Sequence, residues 1–397
     1  MKKLMILGAS ILQLPAIKKA KEMGLYTIAV DMDKDAIGFK YSDKNYQVST
    51  VDIDGVLEVV KKEKPDGIMT LATDKPVYTI AKVSEYMGYN IMSVDTAIRV
   101  TNKAKMRQAL KDKNVPIPEF YVVSDYKEYI RATKNFEERF IVKPVDSSGS
   151  RGIYLINDKN DKNDVEKAFL HSKQFSSTGE VLVEEFMTGP EVSVETLTVN
   201  GQTIIIAITD KVTSGAPFFV EKGHAMPSQL NEDVKVQISN VAIKAIDALG
   251  IIEGPSHTEI KVTESGPKIV EVGARLGGDN ITTELVPLST GIDMVEKCIE
   301  ISLKRKVSIP QPADRAAAIR YFDSSSGILT KVEGIDKAKE VIGVEKVFLY
   351  KEVNEKINDI ESSGDRVGSI IATAKTTEQA IDICNSAYKN IKLEIEK

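Results

Sequence analysis

The chain has no tryptophan, two cysteines and three histidines in 397 residues, and aromatic residues make up only 6% of it. Cys298 and Cys384 lie in helical-looking stretches and offer neither a disulfide framework nor metal-ligand spacing, which fits a reducing cytoplasm. There is no surplus of positive charge. The 53 Lys+Arg against 58 Asp+Glu leave a net charge of −5, so no basic surface for nucleic acid is expected. No apolar run is long enough to span a bilayer, and Met1-Lys2-Lys3 leads into a short apolar strand rather than a signal segment, so no membrane partner is expected. Internal repeats and low-complexity linkers are also missing. What remains, 42% hydrophobic and 28% charged, is the composition of a globular protein with two or three domains.

The first hundred residues alternate strand and helix. Leu4 to Leu7, Tyr26 to Val30, Tyr46 to Val48, Gly67 to Thr70 and Tyr89 to Ser93 read as strands, with helices over Leu12 to Met23 and Ile53 to Glu63. That order predicts a parallel sheet covered by helices. Asp31 stands where a dinucleotide-binding fold places its ribose-binding acid, but Ser10 and Gln13 occupy positions where two further glycines should follow Gly8. A nicotinamide-dependent oxidoreductase is therefore the weaker reading. Thr73, Asp74 and Lys75 follow a strand end, where such sheets present ligand groups; helix capping accounts for them equally well.

The chemistry gathers further along. Thr258 to Val262, a turn at Thr263-Glu264-Ser265-Gly266-Pro267, and Lys268 to Val272 read as an antiparallel hairpin. A turn centred on Ser265 sets Glu259 opposite Glu271. Two carboxylates side by side repel unless neutralised, and magnesium, which takes one or two carboxylates plus phosphate oxygens, is the natural neutraliser. Two exposed Glu on an edge hairpin would show the same pattern. Upstream, Lys143 closes the strand Arg139 to Pro144 and Asp146-Ser147-Ser148-Gly149-Ser150-Arg151-Gly152 follows, small residues whose backbone N–H groups can turn toward phosphate. Lys103 and Arg107 share one face of a helix, a spacing that alone reads as a solvated face. Val181 to Met187 runs as a strand into a connector, and Glu191 to Glu195 leads out of it.

Taken in order, the strand-end Lys, small-residue loop, Glu-Glu-Phe-Met connector and Glu…Glu hairpin followed by Arg275 resemble the ATP-grasp superfamily. The likeness is to the branch of carbamoyl phosphate synthetase, purine-pathway enzymes and L-amino acid (dipeptide) ligases. The resemblance implies α/β and α+β architecture: a Rossmann-like domain at 1–98, an ATP-grasp domain at 99–308 with 115–187 as a mobile lid, and a small α+β closing domain at 309–397. It implies ATP with Mg2+, or Mn2+ in its place. Lys103, Lys143 and the loop Ser147, Ser148, Gly149, Ser150 and Gly152 would meet phosphates. Glu184, Glu185, Phe186 and Met187 would hold adenine, Glu191 the ribose, and Glu259 and Glu271 the metal. Arg275 would steady the transferred phosphate, and Lys211, after the strand Thr203 to Ile208, is a candidate for the γ-phosphate, with a strand-end surface Lys the competing reading. Many such proteins carry Asn two residues after the second metal Glu, where this chain has Gly273.

The stretch Pro217 to Ser228 is aromatic in an aromatic-poor chain, and its Gly223-His224-Ala225-Met226-Pro227-Ser228 resembles the substrate border of the amino acid ligases. His224 there is read as a carboxylate binder or proton shuttle. His257 lines the hairpin face, and His171 carries no signal. Gly277, Gly278 and Asp279 would meet an amine, with a helix cap at Asp279 the competing reading. Arg320 is expected to face the cleft from the C-terminal segment. The function implied is an ADP-forming carboxylate–amine ligase working through an acyl phosphate on small-molecule substrates, one of them an amino acid; a homodimer is common among such proteins. Bicarbonate-activating or purine-pathway ligases are the nearest alternatives, and a silent nucleotide-binding protein a more distant one.

Overall fold

The computed structural model describes residues 1–89, 91–147, 149, 151–216 and 218–397. Strands β1 (Lys3–Leu7), β2 (Tyr26–Asp31), β3 (Lys44–Gln47) and β4 (Gly67–Met69) form a parallel sheet in the order β3-β2-β1-β4. β1, β2 and β4 are buried over nearly their whole length, as apolar runs covered by helices on both faces must be. The expected strand Tyr89 to Ser93 does not form among the described residues. Gly88, at φ +66°, ends the helix Val77–Met87, and the Tyr89 hydroxyl donates to the Pro65 carbonyl, so this segment is a connector to the helix Val94–Thr101.

The turn after β1 is closed by its own side chains. Gln13 Nε2 donates to the Leu71 carbonyl at 2.6 Å, the Ser10 hydroxyl donates to Gln13 Oε1 at 2.7 Å, and the Ala9 N–H donates to Asp31 Oδ2 at 2.7 Å. Gln13 thus fills the space where a glycine would let a pyrophosphate approach, and Asp31 is already held by this turn.

A second sheet, β5 (Phe120–Val123), β6 (Phe140–Pro144), β7 (Tyr154–Ile156) and β8 (Val181–Glu185), is antiparallel in the order β5-β8-β6-β7. The helices Tyr126–Thr133 and Lys162–Gln174 pack on it through Tyr129, Ala132, Val165 and Phe169.

The remaining strands are β9 (Glu191–Val199), β10 (Gln202–Thr213), β11 (Glu221–Met226), β12 (Gly254–Thr263), β13 (Gly266–Gly273), β14 (Ala316–Tyr321), β15 (Gly327–Glu333), β16 (Val344–Leu349), β17 (Lys356–Ile357), β18 (Gly368–Ala374) and β19 (Lys392–Glu396). Eight of them build one sheet, β13-β12-β9-β10-β11-β14-β18-β16, and three a small one, β17-β15-β19. Of the strands after Pro312, β14, β16 and β18 join the large sheet, while β15, β17 and β19 form the small one. β14 pairs antiparallel with β11 and extends the large sheet.

On one face of this sheet Val192, Val194, Ile260, Ile269 and Val272 pack against Ile238, Ala242, Ile246 and Leu249 of the helix Glu232–Leu249. Asn231 caps that helix, accepting from the Val234 N–H at 2.9 Å. Because strand side chains alternate, the residues between those apolar positions face the other way. They are Glu191, Ser193 and Glu195 on β9 and His257, Glu259 and Lys261 on β12, and they form the floor of a cleft.

Candidate active site

Strand pairing sets these residues in rows. One row runs His224, Lys211, Glu191, Lys261, Lys268 across β11, β10, β9, β12 and β13, and the next runs Ser193, Glu259, Glu271. The pairing of Glu259 with Glu271 has a different origin from the one expected. The turn is two residues, Glu264 and Ser265, since Thr263 pairs with Gly266; continued in step, that register would put Val270 opposite Glu259. A bulge intervenes. Ile260 pairs with Ile269 and Glu259 with Glu271, which leaves Val270 without an opposite residue. Its carbonyl is not left unpaired, because Arg107 Nη2 donates to it at 2.7 Å.

Each of the two facing carboxylates holds a lysine. Lys103 Nζ donates to Glu271 Oε1 at 2.9 Å and to the Ser147 carbonyl at 2.7 Å. Lys211 Nζ lies 2.7 Å from Glu259 and 2.8 Å from Glu191. Burial disfavours charge on Lys211 and Glu259 alike, but the neighbouring opposite charges prevail. They hold the lysine well above its ordinary range and the carboxyl well below its own. Beneath them His257 Nδ1 is 2.5 Å from Glu195 Oε1, and its Nε2 is 3.6 Å from Glu259 Oε1. Burial opposes a charged ring there, yet Glu195 and Glu259 lift the imidazole to about 9.

Gly277 makes room for this pair. A Cβ at that position would lie 2.7 Å from His257 Nδ1 and 3.0 Å from both Glu195 oxygens. Gly277→Ala is expected to cost about 1–3 kcal/mol of stability, read from the urea midpoint.

Lys143, at the end of β6, lies 2.5 Å from Glu184 Oε2, and Arg107 Nε donates to Glu184 Oε1 at 2.5 Å. All three side chains are buried. Arg107 is therefore not on a solvated face, contrary to its helical spacing. Glu184, expected to meet adenine, has its carboxylate taken by two cations, which overcome burial and depress its pKa to about 2. Lys143 is lowered, by burial first, with Arg107 and Lys103 adding repulsion against the attraction of Glu184. Two basic side chains share one carboxylate, so positive charge is in excess at this end of the cleft.

The remaining expected residues divide. Glu185 accepts from Lys268 Nζ at 2.9 Å, and Phe186 lies under the Arg139 guanidinium at 4.8 Å, 6.3 Å from the Phe219 ring. Glu185, Phe186 and Met187 line the cleft with Ser147 and Gly149. Gly152 does not. Its φ is +79°, a Cβ there would meet Phe175 at 2.8 Å, and its carbonyl accepts from Ser172 Oγ, so it anchors the loop to a helix. Ser148 and Ser150 lie outside the described residues, as does Pro217.

Arg275 Nε and Nη2 donate to the two oxygens of Asp74 at 2.9 and 3.1 Å, which binds the first sheet's loop into the site and leaves Asp74 no capping role. A Cβ on Gly273 would sit 3.1 Å from Asp74 Oδ1, so this pair occupies the space of an Asn side chain. Arg320 does not face the cleft. It donates to Asn385 Oδ1 at 2.5 Å and stacks on Tyr388. The guanidinium that enters from the C-terminal segment belongs to Arg366, which makes a two-pronged bond to Asp279 at 2.6 and 2.9 Å. Asp279 is accordingly no helix cap. Nothing local in the sequence marks Arg366 or reveals the distant partners of Arg107 and Asp74.

These side chains surround one cavity of about 560 Å3 that reaches Lys103, Lys143, Lys211, Glu259, Glu271 and Arg275 together. Among the described residues no group of three or more His, Cys, Asp or Glu is placed to hold a metal by itself. Two facing carboxylates suit Mg2+, which completes its shell with phosphate oxygens and water, and do not suit an all-protein cage. No helix among the described residues is long and apolar enough to cross a membrane.

A cleft of this charge pattern, roofed by a small antiparallel sheet and floored by a large one, defines a nucleotide-dependent ligase class. Residues 136–284 match the ATP-grasp domain family and residues 320–396 the L-amino acid ligase C-terminal domain 2. The chain carries an ATP-grasp domain and an L-amino acid ligase C-terminal domain 2, and it is an ATP-dependent ligase. It is similar to phosphoribosylamine–glycine ligase of Methanocaldococcus jannaschii, at 26% identity over 96% of this chain and 91% of that one. It is also similar to the L-arginine-specific L-amino acid ligase of Bacillus subtilis, at 23% over 78% and 75%. Its fold matches the crystal structure of an L-amino acid ligase from Bacillus licheniformis with a TM-score of 0.85, at 23% identity over 100% of this chain and 99% of that one.

Proposed function

We propose that the protein joins a carboxylate to an amine with ATP, through an acyl phosphate, and that an amino acid is one substrate. The carrying observation is the convergence of Lys103, Lys143, Lys211 and Arg275 with the facing Glu259 and Glu271 on a single cavity. Carboxylate and amine do not condense favourably in water, so the carboxylate must first be activated. A carboxylate oxygen attacks the γ-phosphorus, the bond to the β-γ bridging oxygen breaks, and ADP leaves. The amine nitrogen then attacks the acyl carbon, the acyl carbon–oxygen bond breaks, phosphate leaves, and the nitrogen gives up a proton.

Little covalent work falls to the protein; it positions the reactants and neutralises charge. Lys103 and Lys143 take phosphate oxygens at the end of the cleft with excess positive charge, beneath the loop that begins at Ser147. Lys211 and Arg275 balance the charge that develops on the transferred phosphoryl group. Glu185, Phe186 and Met187 border the base, and Glu191 the ribose. Glu259 and Glu271 would hold Mg2+, which supplies charge neutralisation between phosphates. The proximity of the two chain segments that resemble amino acid ligases, His224 on β11 and the C-terminal segment carrying Arg366, supports the amino acid as substrate.

The test is ADP and phosphate release with Mg-ATP across pairs of L-amino acids, against bicarbonate and against phosphoribosylamine with glycine. Release that requires an amino acid pair is expected. Release with bicarbonate, or with the phosphoribosylamine pair alone, replaces this reading with one of the alternative ligases. Tight NAD binding without ATP binding removes it.

A further inference from the structure

We propose that Glu195 and His257 are a positioning pair for the reaction, holding the Glu259 carboxylate so that one oxygen stays on the protein and the other is turned to the cation. This rests on the ligase reading above and adds two residues to which that reading gives no part. Glu195 and His257 stand directly across from each other on β9 and β12, in the row next to the one that holds Ser193, Glu259 and Glu271. His257 and Glu259 are two apart on one strand and so share a face. The ring spans the gap between two carboxylates. Its Nδ1 donates to Glu195 Oε1 at 2.5 Å, and its Nε2 lies 3.6 Å from Glu259 Oε1.

The fold gives up stability to keep this pair. Glu195 is fully buried, and its Oε2 has no hydrogen-bond partner among the described residues. A buried carboxylate with one oxygen unsatisfied costs free energy that an apolar residue at the same position would not. Position 277 is constrained as well, because a Cβ there would crowd both the ring and the Glu195 oxygens. Three positions distant in sequence are thus given over to one imidazole, and the group that its free edge reaches is Glu259.

Glu259 needs such a hold during turnover. Among the described residues its ionic partners are Lys211, at 2.7 Å, and His257, and both reach Oε1. The other oxygen is therefore the one a cation in the cleft would take. Ser193, directly across from Glu259 on β9, gives no support, since its hydroxyl has no hydrogen-bond partner among the described residues. Lys211 is shared with Glu191 at 2.8 Å, and in the proposed reaction it turns to the transferred phosphoryl group. His257 is then the contact left to fix Glu259. Because Glu195 matches the charge of the ring, the pair orients this carboxylate without adding net positive charge beside the cation.

The experiment is isothermal titration of the full chain with ADP, once in EDTA and once in saturating Mn2+, so that the ratio of the two affinities gives the contribution of the cation. The wild type is expected to bind ADP in EDTA and more tightly in Mn2+. The double variant Glu195→Gln/His257→Gln, which strands no charge, is expected to lose about 10-fold or more of the gain from Mn2+, with ADP affinity in EDTA within about 3-fold of the wild type. Glu195→Gln alone still offers Nδ1 an acceptor and is expected to fall between the two. A full gain from Mn2+ in both variants overturns the proposal. So does a loss of equal size in EDTA and in Mn2+, which is what a merely structural pair would produce. Either outcome leaves the ligase reading standing. A wild type that binds ADP without any gain from Mn2+ overturns the metal assignment of Glu259 and Glu271 and this proposal with it, and failure of the wild type to bind ADP overturns the ligase reading as well.

Discussion

Replacing Glu271 by Gln is expected to lower substrate-dependent ADP release by about 100-fold or more, with the urea midpoint nearly unchanged. The substitution is isosteric, and the remaining amide oxygen can still accept from Lys103 Nζ, now 2.9 Å from Glu271. That ion pair is partly solvated, with the Glu271 side chain 32% exposed, so its loss costs little stability. What disappears is one of two facing negative charges. With Glu259 alone, a cation held by this pair would lose a ligand, and transition-state charge would be balanced less well; single electrostatic groups of this kind are worth about 100- to 1000-fold in turnover. Glu259 is the poorer probe, because it also supports Lys211 and His257. A coupled assay for ADP with the best substrate pair gives the rate, and ATP titration with and without Mg2+ separates binding from chemistry. Wild-type turnover by the Glu271 variant removes the metal assignment.

The parts of this site that follow from period-two alternation were legible. Glu191, Ser193 and Glu195 share a face because they are two apart on a strand, and the same holds for His257, Glu259 and Lys261. Most strand and helix assignments needed no more than local pattern, as with the helix Ile53–Glu63. The bulge at Val270 was not legible, since a β-branched run offers no mark of the residue to be skipped. The outcome matched the expected pairing because a shorter turn and an extra residue compensate.

Arg107 was misread for a different reason. A basic pair four apart on a helix looks solvated unless its partner is known, and its partner Glu184 is 77 residues away. The same applies to Asp74 with Arg275, 201 residues apart, and to Arg366, which lies where Arg320 was expected. Long-range pairing also decides that β14, β18 and β16 extend the central sheet rather than forming one of their own. The broken glycine fingerprint, by contrast, was legible as a departure, and Gln13 supplies its physical meaning: the turn is filled.

The largest effect on stability is expected from Glu184→Gln, a loss of about 3–5 kcal/mol, because the change strands two buried cations. Arg107 and Lys143 both bond this carboxylate, and a neutral amide can balance neither. The acid limb of the stability curve gives a second measurement. The Glu184 pKa is depressed to about 2 against an ordinary 4.5, so the unfolded chain takes up the proton first. Its stabilisation is whole above pH 4.5 and drains away as the pH falls toward 2, by roughly 3 kcal/mol at 1.4 kcal/mol per unit. Urea unfolding at pH 7 and across the acid range should show the variant less stable at neutrality and flatter toward acid. Arg107→Met added to Glu184→Gln should recover part of the loss, since one stranded cation is then gone, although the Val270 carbonyl loses its donor. A shift below about 1 kcal/mol at pH 7 would mean that water reaches these cations and that the buried triad does not hold the roof sheet to the hairpin.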